Sequence, residues 1–237
     1  MTDDSNSKDL RFLLDEILSG DDARMQRARI MLLAMDEEAV QPLTDAFYAG
    51  VNEVQGVVLL DVVAEIGGFE ALQLLEDVFY NGTKDVWQRW AGLGMARNGR
   101  ADILDALFDW LQTGTDDHRR TALLALGYIG DEDAELALIH ALHDPLVAPQ
   151  AVRALEKRQS IEGLAAGYNT DDAHVWEMVT NALLNLGDAG ALPLIDIMQN
   201  EHPLFYEKVL VSLQNLNRPE AKEVLEAGEF DGDGQTK

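Results

Sequence analysis

The chain repeats itself about every 32 residues, and that period decides most of what it can fold into. Asp45-Ala46-Phe47-Tyr48-Ala49-Gly50 returns as Asp77-Val78-Phe79-Tyr80-Asn81-Gly82 and, more loosely, as Asp109-Trp110-Leu111-Gln112-Thr113-Gly114. A second landmark lies between these. Ala122-Leu123-Leu124-Ala125-Leu126-Gly127 matches Ala182-Leu183-Leu184-Asn185-Leu186-Gly187. A small or apolar residue recurs at Ala28, Leu59, Ala91, Ala122, Ala151, Ala182 and Ser212, which marks seven units. Self-similarity at this spacing is the signature of a repeat array, in which one unit alone cannot bury its apolar face.

Each unit reads as two short helices. Acid pairs such as Asp21-Asp22, Asp116-Asp117 and Asp171-Asp172 open the first. Carboxylates there accept from free backbone amides and suit the positive end of the helix dipole. Apolar residues then follow at helical spacing, as in Ala122, Leu123, Leu126 and Ile129. Gly67, Gly99, Gly130 and Gly187 can take the left-handed geometry that ends a helix. The second helix runs through Val40, Leu43 and Phe47 in one unit and Leu192, Ile195 and Met198 in another. Neither helix is long enough to stand alone in water. The expected fold is all-α: an α-solenoid of about seven helix hairpins. Residues 1–20 read as a tail and capping helix, 21–230 as the array, and 231–237 as a disordered acidic tail. Near 145–168 the pattern departs. Pro145 and Pro149 shorten the first helix, and Lys157-Arg158-Gln159 replaces the terminal glycine.

Charge narrows the partners. Forty-three acids oppose eighteen bases, a net charge of −25. A phosphate backbone is repelled by such a surface, and so is an anionic membrane. Neither is expected as a partner. No run reaches the roughly 18 apolar residues of a membrane span, and the acidic start lacks the features of a secretory signal. A cytoplasmic protein is expected. Without cysteine, disulfides and thiolate metal sites are excluded. Two origins of the acidity stay open. One is adaptation to a very salty cytoplasm, where salt screens self-repulsion. The other is a basic partner.

The acid-led, basic and Ala-rich helix closing on Leu126-Gly127-Tyr128-Ile129-Gly130-Asp131 resembles the HEAT-like repeat of the phycobilisome-lyase type, and the acidic composition resembles that of a haloarchaeal member. His118-Arg119-Arg120-Thr121-Ala122 through Asp131 carries the resemblance best, and the likeness spans about residues 21–228. It implies the helical-repeat fold and protein-protein interaction. Some archaeal proteins with these repeats are associated with chemotaxis, linking signalling proteins to the motility motor. Lyase members attach or detach a bilin, so a lyase-like enzyme or chaperone acting on a tetrapyrrole is the alternative. Another HEAT-repeat family binds iron through His-Glu pairs. This chain has none, since Glu201-His202 is the reverse order.

No catalytic constellation, phosphate loop or cofactor motif appears, so no cofactor, metal or small-molecule substrate is expected. His140 and His143 can share a helix face but lack further ligands. Glu229, Asp231, Asp233 and Gly234 mimic the start of a calcium loop whose closing position would fall past Lys237. Candidate residues instead suit a scaffold or adaptor. Asp45 lies about 200° around its helix from Phe47, and Tyr48 shares its side. Asp77 with Tyr80 repeats this, and Asp109 follows with Gln112. In this architecture the second helices line the concave surface. The predicted result is a ladder of Asp45, Asp77 and Asp109 flanked by tyrosines, facing a basic strip of a partner protein or else solvent. Trp87 and Trp90, three apart on a first helix, are a second candidate, with one in the core and the other an exposed anchor.

Overall fold

A computed structural model describes residues 3–200 and 202–228; the 231–237 tail and the calcium-like run from Glu229 lie outside them. The described residues form helices and connecting turns, in two compact units divided between Ile103 and Leu104. The first unit holds α1 (Asp3–Ile17), α2 (Asp22–Ala34), α3 (Val40–Gly50), α4 (Glu53–Ile66), α5 (Gly68–Asn81) and α6 (Asp85–Arg97). The second holds α7 (Leu104–Thr113), α8 (Asp116–Leu126), α9 (Glu132–Ala141), α10 (Ala148–Lys157) and α11 (Ile161–Ala165). It continues with α12 (Ala173–Asn185), α13 (Asp188–Gln199), α14 (Tyr206–Asn215) and α15 (Pro219–Gly228). The division falls inside the third sequence repeat.

Packing follows the repeat. In the first unit α4 sits between α2 and α6, α3 packs on α4 and α5, and α1 lies on α2 and α3. In the second, α8, α10, α12 and α14 stack in order, and α9 meets α11 as α13 meets α15. The recurring small position marks the seam of these stacks. Ala28, Leu59, Ala91, Ala122, Ala151, Ala182 and Ser212 sit on the first helix of each hairpin, and none is more than 1% exposed. A larger side chain there would force neighbouring helices apart.

Helix ends show where local chemistry differs from expectation. Asp21 and Asp172 cap α2 and α12 by accepting from the backbone N–H of Arg24 and His174, both at 2.9 Å. The Asp116–Asp117 pair does not cap α8; Thr115 does, accepting from His118 N. Those two acids sit in the first turn, where they face the dipole instead. Left-handed residues close the first helix of five repeats: Asp36, Gly67, Gly99, Gln159 and Gly187, with φ between 53° and 75°. Gly130 is not left-handed. The chain leaves α8 through Gly127 instead, where a Cβ would come within 2.9 Å of Ala154 in α10. That glycine permits close helix approach. Gln159 takes the left-handed turn without being glycine, because Ser160 N bonds Leu155 O at 3.0 Å and holds it. Pro149 does fall in the first turn of α10, but the greater shortening is in the second helix: α11 has five residues and passes into a 3-10 turn, Ala166–Asn169.

At three first-helix ends, hydrogen-bond donors tie a repeat to the one before. Asn98 donates to Ala64 O at 2.9 Å, Arg158 to Asp131 O at 3.1 Å, and Arg218 to Asn181 Oδ1 at 2.6 Å. Ion pairs do the same: Asp61 of α4 lies 2.8 Å from both Arg29 of α2 and Arg97 of α6.

Candidate functional site

The strongest concentration of predicted residues is a pocket of about 290 Å³ in the first unit, lined by Phe47, Tyr48, Val51, Asp77, Val78 and Trp87 among others. Three elements build it. Helix α3 buries Phe47 and so turns Tyr48 outward, 58% exposed. Helix α5 buries Val78 and Phe79 and presents Asp77. Helix α6 brings Trp87, whose ring packs on Phe47 with centroids 4.9 Å apart.

Trp87 is fixed from two sides. Its indole N–H donates to Glu53 O at 3.1 Å. Beneath it, Gly56 of α4 leaves the space it needs, since a Cβ there would lie 2.3 Å from Nε1. Lys84 Nζ sits 4.5 Å from the ring centroid, a cation-π contact.

Tyr48 and Asp77 join across the repeat. The Tyr48 hydroxyl donates to one carboxylate oxygen of Asp77, and Asn81 Nδ2 donates to the other at 3.0 Å. The bond from Tyr48, then that from Asn81, holds the Asp77 carboxyl below its usual range. Burial first, and the adjacent carboxylate second, push the Tyr48 phenol up to about 12. At neutral pH the pair is therefore phenol and carboxylate.

The other predicted residues are placed apart from this pocket. Asp45 is exposed, accepts from Gln41 at 2.7 Å, and borders a separate groove with Leu10, Arg11 and Leu14. Tyr80 is 53% exposed and meets Phe79 edge-on at 4.8 Å. Asp109 lies on α7 in the second unit, exposed, beside Thr113. Trp87 and Trp90 are both half-buried, so the expected split into one core residue and one exposed anchor does not hold. Sequence spacing grouped Tyr48 with Asp45 of its own helix; the bond it makes is to Asp77 of the next repeat. Gly56 and Asn81 were not foreseen, although a glycine inside an apolar helix is itself a signal of close approach.

The charge is divided by helix type. Second helices α3, α5, α7, α9, α11 and α13 carry twelve acids and no lysine or arginine; the seventh, α15, carries three acids and Lys222. First helices α2, α4, α6, α8, α10, α12 and α14 carry ten acids and ten such bases. Among the described residues Asp45, Asp77 and Asp109 have hydrogen-bond donors but no ion-pair partner. Sequence reading had the net charge but not this segregation, which emerges once helices are assigned.

No helix among the described residues is long and apolar enough to cross a membrane, and no group of three or more His, Asp or Glu there could hold a metal ion. His140 and His143 are both exposed, at and just past the end of α9.

Residues 104–175 match the family model for HEAT repeats. Over that stretch the chain is similar to HEAT repeats. The matched stretch contains α7 to α11 of the second unit and includes the Leu126-to-Asp131 turn. No curated protein matches the chain. A solved structure of human deoxyhypusine hydroxylase in complex with glycerol is similar over 95% of this chain and 91% of its own, with 17% identity and a TM-score of 0.43. At that distance the likeness carries no argument about this chain.

Proposed function

We propose that this helical-repeat scaffold binds a basic segment of another protein through the surfaces of its second helices, and that it catalyses no reaction. The observation that carries this is the charge division: bases on the first helices balance the acids there, while the second helices of six repeats have none. Within each unit, acids that no base neutralises repel one another, and a basic partner relieves that repulsion while gaining orientation and on-rate. Tyr48 and Tyr80 add aromatic area beside them, a residue type suited to contacts that are apolar on one side and wet on the other. The finer reading is an adaptor between chemotaxis signalling proteins and an archaeal motility motor. It rests on repeat type and acidic composition together.

The test is an affinity pull-down from source lysate at its native salt. Wild type is compared with Asp45→Asn/Asp77→Asn/Asp109→Asn and with Asp22→Asn/Asp116→Asn/Glu207→Gln, which removes the same charge from exposed positions of first helices. A partner kept by the first-helix variant and lost by the ladder variant is the expected result, and its identity decides the finer reading. Equal recovery from both variants would remove the second helices from the binding surface.

A further inference from the structure

We propose that the pocket between α3, α5 and α6 takes one arginine side chain of the partner, its guanidinium against the Trp87 and Tyr48 rings and paired with the Asp77 carboxylate. This deepens the proposed function, on which it rests, by naming the side chain that the acidic surface reads.

Shape is the first support. The cavity of about 290 Å³ has apolar walls from Phe47, Val51 and Val78 and one charged group, Asp77. Ligand pockets of this kind orient a guest through few polar groups set among apolar ones. The walls are preformed. Gly56 and Glu53 O fix Trp87, and Asn81 with Tyr48 fixes the carboxylate, so little ordering is left to oppose binding.

Electrostatics supply the sign. Asp77 accepts one bond on each oxygen. A carboxylate has about four acceptor sites, so both oxygens can accept again. Among the described residues no lysine or arginine pairs with it, and neither kind of residue lines the pocket. The indole already attracts a cation from this chain, since Lys84 lies over its ring from outside the lining. Lys157 over Tyr128 at 4.3 Å and Lys208 over Trp176 at 4.7 Å show the same use of rings in the second unit.

Arginine fits better than lysine. Its planar guanidinium can lie on an aromatic face while its edge donates two bonds to a carboxylate, and it loses less hydration than an ammonium.

The experiment is fluorescence anisotropy with a labelled dodecapeptide of alternating arginine and glycine, and with its lysine and citrulline counterparts, at low and at about 0.15 M salt. The arginine peptide should bind tighter than the lysine peptide, and the citrulline peptide should fail. Asp77→Asn should weaken arginine-peptide binding about tenfold, and Trp87→Phe less, because a smaller ring remains. Glu207→Gln removes one exposed charge on α14 and should change it less than twofold. Circular dichroism of each variant confirms the fold. If Asp77→Asn weakens binding no more than Glu207→Gln, or if lysine binds as well as arginine, the pocket assignment is overturned while the acidic-surface reading stands. If neither basic peptide binds even at low salt, the proposed function fails and the pocket with it.

Discussion

Arg158→Ala should loosen the second unit locally, by an amount the structure lets one work out. The side chain is 12% exposed, and its guanidinium reaches back from the end of α10 to the turn after α8. One nitrogen donates to Leu126 O at 3.4 Å and to Ile129 O. The other donates to Asp131 O at 3.1 Å and to Glu135 at 3.2 Å. Hydrogen bonds from a charged donor are worth about 1.5–3 kcal/mol each, but those on one group do not add. Two features reduce the sum. Arg158 Nε is buried without a partner, which already costs energy. The cavity of about 510 Å³ beside it would admit water to the freed carbonyls. A net loss of about 2 kcal/mol follows, or roughly a 30-fold rise in local opening. Repeat arrays need not unfold in one step, so a single melting midpoint would hide this. Hydrogen exchange by mass spectrometry resolves it. Peptides from α8 to α10 should exchange roughly 30-fold faster, while peptides from α2 to α4 stay unchanged. A change below about threefold in α8 to α10 would show that these carbonyls do not depend on Arg158.

Other expectations follow from the same contacts. Asp77 has a lowered folded pKa, so its contribution is present above the unfolded carboxylate value and is lost as pH falls through the folded one. Tyr48→Phe should therefore raise the Asp77 pKa in a carboxyl NMR titration; an unmoved value would sink the inter-repeat bond. Tyr48 is raised to about 12, so its contribution holds below the unfolded value near 10 and fades as pH climbs through 12. Tyr168, held up by burial, also ionises late, so ultraviolet titration should show late phenolates of which one ionises earlier in Asp77→Asn. Gln159→Gly should stabilise the second unit by at most about 1 kcal/mol, since glycine removes the left-handed penalty at φ 56° but gains freedom when unfolded. A large loss in a urea titration would mean that the Gln159 side chain holds the turn. Thermal melts should rise between low and molar KCl if salt screens the acidic surface; a flat response would remove the salty-cytoplasm reading.

Much of the fold was legible because burial repeats with the chain. The seven small positions were read from spacing alone, and each lies in a helix seam. Helix termini were less legible. Thr115 outcompetes two acids for the α8 cap, and Asp36 and Gln159 adopt a turn that composition assigns to glycine. Thr115 accepts from His118 N and Ser160 N bonds Leu155 O across the Gln159 turn, local hydrogen-bond geometry that the spacing of apolar residues does not carry. The candidate site shows the same limit. Periodicity along single helices put Asp45, Tyr48, Asp77 and Tyr80 on exposed sides, and the structure exposes all four. Contacts across helices set Tyr48 on Asp77 and Trp87 on Phe47.

The division of charge links stability to recognition. Arg29, Asp61 and Arg97 bridge three successive first helices, so bases there serve the stacking of repeats. Only eighteen bases exist in the chain; Arg158 reaches Glu135 and Arg100 reaches Glu76, but among the described residues no base pairs with Asp45, Asp77 or Asp109. Second-helix acids without an ion pair add repulsion that ions or a partner neutralise. Salt and a basic partner would relieve the same repulsion, and so must compete. A partner that binds this surface should therefore stabilise the protein more at low salt than at high salt, with Asp45→Asn/Asp77→Asn/Asp109→Asn flattening the difference. Partner stabilisation that is independent of salt would place binding on apolar contacts, and the ladder would be ordinary solvated surface.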